Sequence, residues 1–111
     1  MRNKRASIRK RPNESIAICD INTGQPLGHL VNISMDGMML IGQISTAPGT
    51  LFQLRMPLAT PVNGAEKIEF GVEALWCQRV KETCSYWTGF QIIDISDSAS
   101  RTIESLISSW H

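Results

Sequence analysis

The chain has 111 residues, 42% of them hydrophobic and 19% charged, with a formal net charge of +1. That length holds one modest core and excludes two. No apolar run approaches the roughly 20 residues of a membrane helix, and the charged start Met-Arg-Asn-Lys-Arg has no apolar stretch behind it, so neither membrane insertion nor a signal peptide is expected, and the cytoplasm is the expected location.

The net charge hides an asymmetry. The first 11 residues carry six cations (Arg2, Lys4, Arg5, Arg9, Lys10 and Arg11) and no acid, whereas the remaining 100 carry five cations and ten acids. A flexible basic arm over residues 1–12 therefore precedes a mildly acidic domain over 13–111. An arm of this kind suits an anionic partner, although a solvated tail has the same composition.

After Pro12 the pattern turns to short strands. Ile16 and Ile18 alternate with smaller residues before the turn signal Asn22-Thr23-Gly24. Leu27, His29, Val31 and Ile33 then alternate with Gly28, Leu30, Asn32 and Ser34, which predicts a strand whose opposite faces carry these two sets. Asp36-Gly37 offers a second turn, and the apolar run 38–41 closes at Gly42. Met35, Met38 and Met39 read as adaptable packing. Pro48-Gly49 precedes a strand over 51–58, in which Pro57 belongs near the end or on an edge because it cannot donate to a ladder. Asn63-Gly64 marks a loop. Ile68, Phe70, Val72, Ala74 and Trp76 then form one face of the clearest strand, with Glu69 and Glu73 on the other, and a last strand is predicted over 86–95.

The final segment changes period. Ile103, Leu106, Ile107 and Trp110 fall at i, i+3, i+4 and i+7, one face of a helix over about 97–110 that Ser96 or Asp97 caps. Short strands punctuated by turns predict an all-β antiparallel barrel or sandwich with an appended helix. Cys19, Cys77 and Cys84 show no CxxC spacing, and His29 and His111 lie far apart, so reduced, buried or half-buried thiols and no metal site are expected.

Two motifs stand out together. Residues 5–9, Arg-Ala-Ser-Ile-Arg, form an RxxxR, and residues 32–37, Asn-Ile-Ser-Met-Asp-Gly, form a (D/N)xSxxG beginning 23 positions after Arg9. This pair, with the Gly-Met-Met-Leu continuation from Gly37, the Trp76 strand, the stretch from Gly89-Phe90 and the C-terminal helix, resembles the PilZ family over nearly the whole chain. The resemblance implies a six-stranded antiparallel PilZ-type β-barrel with a C-terminal α-helix. It implies cyclic di-GMP as the ligand, no other cofactor, and Arg5, Arg9, Asn32, Ser34 and Gly37 as the residues that bind it.

The residue chemistry is consistent with that ligand, which carries about two negative charges and two guanines. Guanine offers O6 and N7 as acceptors on one edge, matched bidentately by an arginine fork. Its other edge carries donors that want an amide or carboxylate oxygen and a hydroxyl. Asn32 and Ser34, two apart on a strand, are expected on one outward face, with Gly37 closing the turn in a backbone geometry a side chain forbids. Arg5 and Arg9 would fold over the ligand. Lys4, Lys10 and Arg11 are further candidate contacts from the arm, and Arg79 from beyond Trp76. Trp76 reads either as barrel core or rim, or as a platform stacking on guanine.

No Ser/His/Asp grouping, paired carboxylates or Gly-rich phosphate loop is present, and an enzyme is not expected. The expected role is a receptor that passes the messenger level to a downstream protein, not identified by the sequence, by ordering its arm. The alternative is a ligand-independent adaptor of the same family acting by protein contacts in pilus or flagellar control. With seven aromatic residues and an acidic body, no DNA or RNA partner is expected.

Overall fold

The computed structural model describes residues 9–110. Six strands, β1 (Ala17–Asp20), β2 (Pro26–Ile33), β3 (Gly37–Gly42), β4 (Leu51–Val62), β5 (Ala65–Val80) and β6 (Ser85–Asp94), are followed by helix α1 (Asp97–Ser109). The strands close into an antiparallel barrel in the order β1-β2-β3-β6-β5-β4. The expected fold class, six strands with one C-terminal helix, is the observed one.

The barrel interior is filled by side chains that alternate inward. Ile18, Ile33, Met38, Leu40, Leu54, Met56 and Val72 are fully buried, and Ile103 joins them from α1. Each such side chain contributes about 1.5–3 kcal/mol of hydrophobic stabilisation before entropy is counted. The α1 face carrying Ala99, Thr102, Ile103 and Leu106 is buried, and the helix packs on β4 and β5. Its N-terminus is capped by Ser96, whose Oγ accepts from the Ala99 N–H at 3.0 Å.

The end of β4 and the exposure of one thiol differ from expectation. β4 continues past Pro57 to Val62, and the Asn63-Gly64 loop is a two-residue hairpin turn with φ of 52° and 81°. Positive φ at both positions matches the twist of paired strands, so the hairpin extends the ladder where composition alone suggests a break. Pro57 pairs with Lys67 of β5, while the β1–β4 ladder comprises only Cys19 opposite Arg55 and Asp20 opposite Leu54. Pro57 therefore lies beyond β1, on a local edge. Among the thiols, Cys19 and Cys77 are half-buried, but Cys84 is exposed, contrary to expectation. It occupies the turn before β6 at φ 56°, where the chain reverses outside the core.

Candidate functional site

Two β-bulges overturn the simple alternation of β2 and β5. In β2, Leu30 pairs with Leu40 and Asn32 with Met39, so Val31 is the extra residue. Leu30 and Ile33 are both buried, and Val31 and Asn32 lie between them outside the core. The expectation that Val31 and Ile33 share an inward face fails for this reason. In β5, Ala74 pairs with Phe90 and Trp76 with Gly89, leaving Leu75 as the extra residue. Ala74 is buried, whereas Leu75 and Trp76 are 49% and 42% exposed. Trp76 is thus turned out of the face it was expected to end. Bulges re-aim side chains in this way and are common beside functional sites.

The two bulges lie at one level of the barrel. Asn32 pairs with Met39, Met39 with Gly89 and Gly89 with Trp76, so a single row crosses β2, β3, β6 and β5. A cavity of about 310 Å³ lies over this row, with Met38, Leu75, Phe90 and Arg9 completing its walls. A second, of about 230 Å³, shares Arg9, Leu75 and Phe90 with it and adds Asp36, Gly37 and Gln91. Together they form a two-lobed depression of the size range that small ligands occupy.

Arg9 overhangs both lobes, and its Nη1 donates to Asn32 Oδ1 at 3.0 Å. Its position is set by the next residue. Lys10 forms an antiparallel bridge with Ile33 at the end of β2, its N–H donating to Ile33 O and its carbonyl accepting from the Ile33 N–H, both at 3.0 Å. The Lys10 ammonium donates to the carbonyl of Trp110, just past α1, at 3.1 Å. The last part of the basic arm is therefore stitched to the barrel and to the helix end.

Ser34 does not share an outward face with Asn32. It is fully buried, because the chain turns inward after the bulge. Its Oγ donates to Asp36 Oδ1 at 2.8 Å, with Gly37 O at 3.3 Å, and its N–H donates to Gly37 O at 2.8 Å. Ser34 thus shapes the β2–β3 turn on which Asp36 and Gly37 enter the smaller lobe. Gly37 is required for a different reason than expected. Its φ is not in the left-handed region, but a Cβ there would sit 2.7 Å from the Phe90 carbonyl oxygen across the β3–β6 ladder.

The remaining candidates divide clearly. Lys4 and Arg5 lie outside the described residues. Lys10 is engaged by the helix end, Arg11 is exposed, and neither lines a lobe. Arg79 is also absent from the lining, and its Nη2 lies 3.9 Å from Cys84 Sγ. Met39, Leu75, Gly89, Phe90 and Gln91 line the depression without having been singled out as contacts. One sequence signal for them existed, since a glycine inside a strand marks a close approach, and Gly89 is such a glycine. A guanidinium and an amide over an aromatic and apolar floor suit a flat, hydrogen-bonding ring attached to an anion.

Among the described residues, no helix is long and apolar enough to cross a membrane, and no three His, Cys, Asp or Glu residues gather as a metal site. The PilZ domain family model matches residues 3–109. No curated protein matches the chain. Among solved structures, the PilZ domain with c-di-GMP of YcgR from Escherichia coli is similar at 13% identity and a TM-score of 0.72, covering 97% of this chain and 92% of that one. The Bacillus subtilis inhibitor of motility MotI/DgrA is similar at 14% identity and a TM-score of 0.69, covering 97% of this chain and 49% of that one. The K. pneumonia MrkH–c-di-GMP complex is similar at 16% identity and a TM-score of 0.67, covering 94% and 49%. The chain thus spans about half the length of the last two proteins.

Proposed function

The chain belongs to the PilZ domain family, and from that footing we propose that it is a cyclic di-GMP receptor whose ligand sits in the depression between Arg9 and Trp76. The observation that carries this reading is the convergence of Arg9, Asn32 and Trp76 on one cavity from three separate parts of the chain. The guanidinium meets a guanine O6/N7 edge or a phosphate. The Asn32 amide oxygen accepts from the opposite guanine edge, and the Trp76 indole stacks on the base.

The RxxxR motif then acts in two halves. Arg9 is placed by the Lys10–Ile33 bridge. The stretch before it, with Arg5 and Lys4, closes over the bound anion, and the closed arm is the surface that a downstream protein reads. A segment so rich in like charges gains order when an anion is placed among them, and such disorder-to-order steps are a common signalling device.

Thermal melting tests the reading. A ligand present at 100 times its dissociation constant stabilises the fold that binds it by about 2.7 kcal/mol. For a domain of this size that raises the melting temperature by on the order of 10 °C. Cyclic di-GMP should produce such a rise and GMP should not. No rise at any ligand concentration would leave the chain as a ligand-independent adaptor.

A further inference from the structure

Gly89 occupies a position with two unusual properties. Thr88 and Phe90 on either side of it are both buried and held inward, Thr88 by donating to Cys77 Sγ at 3.4 Å and Phe90 by an edge-on contact with Phe52 at 6.0 Å between ring centroids. Alternation therefore directs Gly89 outward, toward the depression. Yet Gly89 is itself buried. What covers it is Trp76: a Cβ built on Gly89 would collide with Nε1, Cε2 and Cζ2 of the indole. The ring occupies the space that any other residue would fill.

We propose that Gly89 is a positioning residue for the ligand, acting through Trp76 by seating its indole over the β6 backbone as the stacking surface for a guanine. The inference rests on reading the depression as the cyclic di-GMP site. The bulge at Leu75 turns Trp76 outward, and the missing side chain at Gly89 lets the ring lie down across the next strand. An aromatic ring already held in place loses little freedom when a base stacks on it, and such preorganisation favours binding. Any side chain at 89 lifts the ring off this seat. Trp76 makes the contact, and Gly89 decides where the contact is made.

A double-mutant cycle tests this with cyclic di-GMP as the titrant. Trp76→Ala should weaken binding roughly tenfold, the usual scale for one base–aromatic stack. Gly89→Ala should weaken it by a similar factor, and the double variant should bind no worse than Trp76→Ala alone. The Trp76 indole N–H resonance, identified by its loss in Trp76→Ala, should move in Gly89→Ala without ligand. If Gly89→Ala binds as wild type does, or costs as much in the Trp76→Ala background as alone, the proposal is overturned. Should Gly89→Ala be too unstable to titrate, Trp76→Ala should restore its melting temperature by removing the clash, and failure to do so overturns the proposal as well. Wild-type protein that does not bind at all overturns the ligand reading, and this inference with it.

Discussion

Arg9 Nη1 and Asn32 Oδ1 are joined at 3.0 Å across 23 positions of sequence, the arm motif meeting the strand motif directly. The amide oxygen that a guanine would use is thus already in the reach of the arginine that would hold the same ligand. Arg9→Ala should weaken cyclic di-GMP binding roughly tenfold or more, as expected for losing one partner of a charge-assisted contact. The Arg9–Asn32 bond is exposed, so thermal stability should hardly change.

Lys10→Ala should do the reverse. Its ammonium donates to the Trp110 carbonyl in a partly buried setting, and hydrogen bonds to charged groups contribute about 1.5–3 kcal/mol. The variant should melt at lower temperature and bind cyclic di-GMP with affinity close to wild type. Binding lost in Lys10→Ala but kept in Arg9→Ala would move the arginine register of the site.

Ser34 and Gly37 are a second place where a substitution should register in stability. Replacing its fully buried hydroxyl removes the link to Asp36 and Gly37, so Ser34→Ala should cost about 1–3 kcal/mol in urea denaturation. Gly37→Ala drives a methyl to within 2.7 Å of the Phe90 carbonyl and should cost about 1–3 kcal/mol through forced separation of β3 and β6. An unchanged denaturation midpoint in either variant would show that the turn relaxes freely.

If the arm closes on the ligand, amides in residues 2–8 should gain protection from hydrogen exchange when cyclic di-GMP is added, while the Lys10 amide, already bonded to Ile33 O, should change least. Affinity should also fall with added salt, since exposed charges are screened beyond about 8 Å at physiological ionic strength. Exchange over residues 2–8 that is identical with and without saturating ligand would remove the arm from the mechanism.

Much of this architecture was legible in the sequence because it depends on period and punctuation. The helix from Asp97 shows in the spacing of Ile103, Leu106, Ile107 and Trp110, and the strands show in their turns. The faces of the site residues were not legible. A bulge is one residue opposed by none, and it is defined only by the partner strand: Val31 against Leu40 and Met39, Leu75 against Phe90 and Gly89. Each bulge breaks the inside-outside alternation across it, so Leu30 and Ile33 are both buried in β2, and Leu75 and Trp76 are both exposed in β5. Ser34 was placed outside with Asn32 but is buried just past the end of β2, and Trp76, which read either as barrel core or rim or as a stacking platform, is exposed. Gly89 illustrates the same limit, since a glycine within a strand announces a close approach but not which side chain approaches.

Isothermal calorimetry of the purified wild-type chain with cyclic di-GMP, with GMP and GTP as controls, tests the central claim most directly. A saturable heat is expected for cyclic di-GMP with a dissociation constant on the order of micromolar or tighter, about −8 kcal/mol or better. Neither control should give a comparable heat. Folded protein that returns a flat titration with cyclic di-GMP, or that binds GTP equally well, would contradict the account.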